Sequence, residues 1–362
     1  MLDYFFMYLI YSPLLNQLPI KLNKKYLGDW CVDKSHKDYG QIKEHVLPHP
    51  FLSLNNKNRA IKYCNKFYYS ILPILSKKLN EIHGTKENSK YWKIIFGSWL
   101  IRYVEVYYER FFCIYKAKEI YPHIKTSKLH SNNFTAPMDS LDFLSNCFDD
   151  QYNMQLYSLI ISELNIDLHN DYEPLPDTII KKNKKSQYIK KRLKNLLYGM
   201  SNFIGSKLTN KTIWISEVGI SDFELYKFAL KSNAYFWPIY FNNNFNNIKI
   251  DYNLRDSLLS FNHHEDEDIF LNIFLKSLKF NMPRIFLEGY APLKSYLLSK
   301  YSRFPKAIAS PTAFYLNDSF KLLAAEMNKK ETKLFAMQHG GVEGIGELES
   351  EESYLLSICD KY

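Results

Sequence analysis

The chain has 362 residues, 46% hydrophobic and 23% charged. That size and balance predict about two globular domains and exclude collagen-like, disordered and disulfide-scaffold classes. Lys and Arg exceed Asp and Glu by nine, a basic excess suited to nucleic acid, an anionic membrane face or a phosphorylated small substrate.

Five cysteines (Cys31, Cys64, Cys113, Cys147, Cys359) lie far apart without a CxxC pair, which argues against a zinc site and suits a reducing cytoplasm. The amino terminus, MLDYFFMYLIYSP, holds an apolar run far short of the ~20 residues that span a bilayer, and no basic residue precedes it. A short strand is expected at 26–32. Helical periodicity then dominates over 58–83 and 90–118, with Pro73 expected to kink or shorten the first helix. In the second, Trp92, Ile95, Trp99, Tyr103, Val106 and Arg110 fall on one face. A further helix is expected at 151–165.

Pro174, Pro176 and a lysine run make 171–185 the best linker. Residues 181–194 carry eight positive charges and no negative one, read either as a solvated linker entering a helix at 187–204 or as a binding patch. From Lys211 onward, short apolar runs alternate with helical patterns. Strands are expected at 212–217, 235–241, 284–288, 307–310 and 334–338, and helices at 222–231, 254–260, 269–278, 293–300 and 318–328. The alternation predicts a Rossmann-type parallel sheet. The Asn-rich 241–247 reads as a loop.

Glycine is scarce, at 12 residues, yet Gly340, Gly341, Gly344 and Gly346 cluster just after the last expected strand. Such glycines serve positive φ or close backbone approach, and ligands collect at the carboxyl ends of parallel strands. Gln338, His339, Gly340 and Gly341 therefore offer an amide, an imidazole and bare N–H groups to a phosphate oxygen. The glutamates at 343, 347, 349, 351 and 352 would repel a diphosphate, so some face solvent, cap a helix start or grip hydroxyls. Glu288, at the expected end of a strand, is a secondary donor-side candidate. The run 263–268 offers six potential ligands, but consecutive residues cannot converge on one ion, so no metal site is assigned.

Several blocks carry a resemblance: LGDWC (27–31), HPF (49–51), LNEIHG with SKYWKIIFGSWL (79–100), YYER (107–110), FLEGY (286–290) and KLFAMQHGGVEG running on to ESYLLSICDKY (333–362). In these the chain resembles glycosyltransferase-like transferases encoded in bacterial O-antigen and related surface-polysaccharide clusters. The resemblance implies a two-domain, GT-B-like α/β fold. Residues 1–175 would form a mixed, helix-rich acceptor-side domain, 176–210 a basic linker and helix, and 211–362 a Rossmann-like donor-binding domain. Family members continue past the D-x-Y that ends this chain, which implies an incomplete last domain.

It further implies metal-independent transfer from a nucleotide-activated sugar, with no other cofactor, to a polysaccharide or lipid-linked acceptor. Gln338, His339, Gly340 and Gly341 would contact the donor, and Glu352 its ribose. His83, Trp92, Arg102 and Arg110 are acceptor-side candidates, with His339 and His83 the catalytic ones. The aromatic stripe also reads as core, and Arg102 and Arg110 as partners of Glu105 or Glu109. His49 and His83 are the histidines in matching blocks, but no general base is identified.

The expected setting is cytoplasmic, with possible membrane contact through 181–194. The alternative is a truncated, non-catalytic remnant that binds a sugar or protein. A nucleic-acid partner is disfavoured, because no RNP, KH or helix-turn-helix signature is present.

Overall fold

The computed structural model describes residues 7–17, 23–32, 39–172, 185–208, 211–241, 248–259, 268–301, 303–340, 344–346 and 350–362. The apolar run near the amino terminus becomes β1 (Met7–Ile10), with Tyr8, Leu9 and Ile10 fully buried. Beside it lie β2 (Asn23–Tyr26), β3 (Ile124–Leu129) and β4 (Asp167–Tyr172), all parallel in the order β2-β1-β3-β4. A second parallel sheet, β6-β5-β7-β8, is built from β5 (Ile213–Ile215), β6 (Phe236–Pro238), β7 (Ala307–Ser310) and β8 (Lys333–Ala336). Both sheets share one winding: the second strand lies on one side of the first, the third and fourth on the other. The crossovers diverge between first and third strands, where a crevice opens at the carboxyl ends.

The helices are α1 (Tyr39–Ile42), α2 (Leu54–His83), α3 (Ser89–Ile120), α4 (Ser140–Asn146), α5 (Asp150–Glu163), α6 (Lys185–Gly205), α7 (Asp222–Lys231), α8 (Tyr252–Asp256), α9 (Ile269–Asn281), α10 (Tyr290–Lys300), α11 (Ala313–Leu316), α12 (Asp318–Asn328) and α13 (Ser350–Ile358). Ser53 caps the start of α2, and Gly84 ends it in the left-handed conformation (φ 62°) that glycine adopts freely. Asn88 starts α3 by accepting the Tyr91 N–H at 2.9 Å. The aromatic stripe of α3 is core: Trp92, Trp99 and Tyr103 are buried, and Trp99, Tyr103 and Tyr107 stack in sequence.

Several expectations change. The strand expected at 26–32 ends at Tyr26, because the chain turns through a short 3-10 segment, Asp29–Cys31. Gly28 leaves room there for the Trp30 ring, which lies 2.0 Å from where a Cβ would stand and would have to move for any larger residue. Helix α2 runs unbroken through Pro73, its buried Ile71, Leu72 and Leu75 supplying packing that offsets the lost hydrogen bond. Residues 284–288 form no strand: Arg284–Phe286 is a 3-10 turn held by the carbonyls of Pro137 and Met138. An apolar run buried on all sides looks alike as strand or turn, so among the described residues the second sheet has four strands where five are expected, with a single parallel bridge from Lys361 to Phe335 of β8.

The amino half also has a sheet where one strand and helices are expected. In β3 the buried Thr126 and Ser127 break the apolar pattern, their hydroxyls taken by Leu9 O and the Tyr8 hydroxyl. Residues 173–184, 242–247 and 261–267, which hold most of the linker, the Asn-rich loop and the acidic run, lie outside the described residues.

A buried polar knot ties α3 and α4 to α12. The Lys321 ammonium, fully buried, meets Asp318 Oδ1 at 2.7 Å, Ser98 Oγ at 2.9 Å and Ser140 Oγ at 3.1 Å. The Ser140 N–H and hydroxyl both donate to the Asp318 carboxylate at 2.7 Å. Burial presses the Lys321 pKa down, and the Asp318 charge offsets part of that. Asp318→Ala is expected to cost about 3–5 kcal/mol, because it strands an ammonium in the core. Asp318→Ala/Lys321→Met should recover most of the loss, both read from urea-unfolding midpoints.

Candidate functional site

Beyond β8 the chain enters an exposed bend. Gln338, His339 and Gly340 are all exposed, Gln338 Nε2 closes a 3.1 Å bond to Gly340 O, and the His339 ring lies 5.3 Å from that of Tyr315. Gly341 lies outside the described residues. The Gly344 N–H donates to Glu352 Oε2 at 2.9 Å, so Glu352 folds the loop back onto the first turn of α13.

At the neighbouring switch point, Glu217 follows β5 in a left-handed conformation (φ 54°), with Gly219 also positive (φ 75°). The Glu217 carboxylate accepts from Thr312 Oγ1 at 3.0 Å and Asn317 Nδ2 at 2.7 Å. A non-glycine residue at positive φ at a strand's carboxyl end is the kind of local strain that clusters at functional sites.

One face of α3 leads from this end to the first sheet. Ser98 Oγ donates to Tyr315 O at 2.9 Å, Arg102 pairs with Glu351, and Glu105 Oε1 accepts from Ser350 Oγ at 2.6 Å. Glu109 comes next, at spacings of four, three and four residues. At 1.5 Å rise per residue, Arg102 and Glu109 stand about 10 Å apart along the axis.

Glu109 and Arg110 line a cavity of about 420 Å³ at the carboxyl end of β1, together with Tyr11, Ser12, Trp30, Phe148, Asp150, Asn153 and others. Here three sequence blocks, the outermost about 80 residues apart, converge. The Gly28–Trp30 turn sets the Trp30 ring edge-on to His49 at 5.9 Å. His49 Nδ1 accepts the Phe51 N–H at 3.1 Å, which leaves Nε2–H to donate to Glu109 Oε1 at 2.9 Å. Glu109 Oε1 also accepts the Cys113 thiol at 3.3 Å, and Oε2 takes Arg110 Nη1 at 2.7 Å. Arg110 Nε and Nη2 both reach Asn153 Oδ1, at 3.0 and 2.8 Å.

Burial works against ionisation of Glu109, but the donors from His49, Arg110 and Cys113 outweigh it and hold its pKa below the ordinary carboxylate range. The Cys113 thiol is pushed up, by burial first and then by Glu109. His49, Glu109 and Cys113 place one ligand atom each within 4.8 Å of one another. With Arg110 already on the carboxylate and the thiol held protonated, they form a hydrogen-bond cluster more readily than a cation cradle.

The other expected site residues lie elsewhere. His83 Nε2 bonds Phe286 O at 2.9 Å, its ring packed against those of Trp92 and Tyr290, and burial lowers its pKa. Trp92 is fully buried and gives its Nε1–H to Asn80 Oδ1 at 2.9 Å, so it packs and offers no surface to an acceptor. Glu288 ends no strand: it forms a buried bidentate pair with Arg255, at 2.6 and 2.9 Å. Asp268, the described end of the 263–268 run, caps α9 through the Phe270 N–H. Glu217, Thr312, Trp30, Glu109 and Asp150 were not singled out by sequence as ligand residues. A glutamate two residues before Gly219, just past a strand, was the readable signal for the first of these.

Because its folded pKa is lowered, Glu109 contributes stability that is complete above the ordinary carboxylate range and is lost as pH falls through the folded value. Glu109→Gln should therefore unfold about 2 kcal/mol more easily at pH 7, and the gap to wild type should close toward pH 3 in urea titrations.

No curated protein and no solved structure matches the chain. Among protein-family models, that of the LIC12162 family transferase matches residues 7–362. The chain therefore belongs to the LIC12162 family of transferases.

Proposed function

We propose that the protein transfers a sugar or related group from a nucleotide-activated donor to a surface-polysaccharide or O-antigen precursor. In this reading the chain works as a GT-B-like pair of lobes, divided near 175 and 210. The donor's phosphates sit at the carboxyl ends of β5, β7 and β8. Gln338, His339, Gly340 and Gly341 would meet the phosphate or sugar, and His339 would neutralise charge on the departing phosphate. Glu352, which accepts the Gly344 N–H on Oε2, would offer its second carboxylate oxygen to the ribose hydroxyls. The acceptor would approach from the β1 side, past Arg102 and Arg110, and no metal or further cofactor is invoked. Transfer would occur in the cytoplasm, with the basic segment 181–194 drawing the protein to an anionic membrane face.

The observation that carries this reading is the exposed 338–340 bend, with its imidazole and glycine amide at the carboxyl end of a parallel strand. Anions are favoured where such donors are exposed at a strand's carboxyl end. Membership of a transferase family supports the class of reaction. No helix among the described residues is long and apolar enough to cross a membrane.

A thermal-shift panel of UDP-, GDP-, CMP- and dTDP-sugars tests the proposal, since a ligand that binds only the native state raises the midpoint. At least one donor should raise it by several degrees. His339→Ala should abolish that rise while leaving the ligand-free midpoint within about 2 °C, as expected for an exposed residue. A panel without effect, or an undiminished rise in the variant, removes the donor assignment.

A further inference from the structure

We propose that the cavity at the carboxyl end of β1 seats an uncharged, hydroxyl-rich sugar ring, the acceptor, and that Asp150 takes the proton from its attacking hydroxyl. This rests on the transferase reading above and names the ligand of its acceptor side.

The size and walls suit such a ring. About 420 Å³ falls in the range of small-molecule sites. Trp30 and Phe148 line it while 43% and 90% exposed, so each offers a flat apolar face to the C–H side of a pyranose, with polar groups around for the hydroxyls.

The charges argue against an anionic ligand. Arg110 spends Nη1 on Glu109 and Val106 O, and Nε and one side of Nη2 on Asn153. No paired fork remains to grip a carboxylate or phosphate. Glu109 cancels its charge, and Asp150 adds a negative one at the mouth.

The same accounting selects the base. Glu109 accepts from three donors and is held ionised, and both His49 nitrogens are committed. Glu109 is made a weak base by those donors, which lower its pKa, and His49 has no lone pair free to receive a proton. Asp150 begins α5, whose cap is supplied by Asp149 instead. Its own carboxylate makes no hydrogen bond or ion pair among the described residues. Asp150 is exposed at the mouth, yet partial desolvation of its carboxylate, with Asp149 alongside, raises its pKa and so its basicity. In the step, the acceptor O–H proton passes to the Asp150 carboxylate as the oxygen bonds the sugar's anomeric carbon. The bond from that carbon to the donor phosphate breaks, and its electron pair leaves with the nucleotide.

Trp30 provides the readout, because the other four tryptophans are at most 8% exposed. Acrylamide quenching should be titrated with methyl glucoside, methyl galactoside, methyl mannoside and N-acetylglucosamine, with inorganic phosphate and glucuronate as anionic comparators. At least one neutral sugar should shield Trp30, the anions should not, and Trp30→Phe should remove the quenchable fraction. Asp150→Asn should then lower nucleotide release from the bound donor, with that sugar or water as acceptor, by 10²–10⁴-fold. It should leave the donor-induced thermal shift and the Trp30 shielding within twofold. Shielding by phosphate as strong as by any sugar, shielding by none, or release in Asp150→Asn within threefold of wild type overturns the inference. Donor binding without Trp30 shielding sinks this inference alone, whereas shielding without donor binding sinks the donor assignment and leaves the sugar pocket standing.

Discussion

The arrangement depends on the desolvation of one helix. Helix α3 is buried along most of its 32 residues, so each polar group it carries must find a partner or cost its burial penalty. Those partners come from both ends of the chain. Ser98 answers to Tyr315 and Lys321, Tyr91 to Glu326 and Tyr290, and Arg102 and Glu105 to the first turn of α13. Two turns on, Glu109 answers to His49, which caps the 3-10 turn Pro50–Leu52 ahead of α2. Trp99 Nε1, Arg102 Nε and Tyr107 OH stay without a hydrogen bond among the described residues, but the partners that α3 does find set the carboxyl ends of two sheets along a single polar row. Apolar packing would hold α3 as tightly, but it would not fix which residues face each other, and hydrogen-bond geometry does.

The same constraint explains what was legible in the sequence. Helices α7 and α12 and strand β7 fall at their expected boundaries, because caps and amphipathic spacing are local signals. Strand β3 escaped notice because buried Thr126 and Ser127 are satisfied only by β1, over 100 residues away. Strand β4, DLHNDY, is a polar edge with no apolar alternation to read. Residues 284–288 misled for the converse reason, being apolar and buried yet held by carbonyls from outside any sheet.

The candidate site divides along the same line. The bend at 338–340 was visible because glycine is scarce and its clustering needs no tertiary knowledge. The β1 cavity was not. Trp30, His49 and Glu109 each lie in a recognisable block, but their meeting depends on a fold that brings residues 30, 49 and 109 together. Arg110 illustrates the limit. Its pairing with Glu109 could be foreseen only as that of sequence neighbours, while the Asn153 carbonyl that takes Nε and Nη2 could not be foreseen at all.

Electrostatics then separates the two switch points. At β1, the positive charge is consumed internally and a carboxylate is left over, an environment that disfavours phosphate and suits the proton transfer proposed above. At β5 and β7, Glu217 is taken up by Thr312 and Asn317, and Glu351 by Arg102, so two of the acidic groups crowding that end are already spoken for. The exposed amide and imidazole donors beyond β8 then face an environment less negative than composition suggests. Group transfer needs this asymmetry: an acidic pole that draws a proton from the nucleophile, and a donor-rich pole that receives charge on the leaving group. Two sheets of identical winding supply equivalent crevices, and the side chains along α3 and α13 make them chemically opposite.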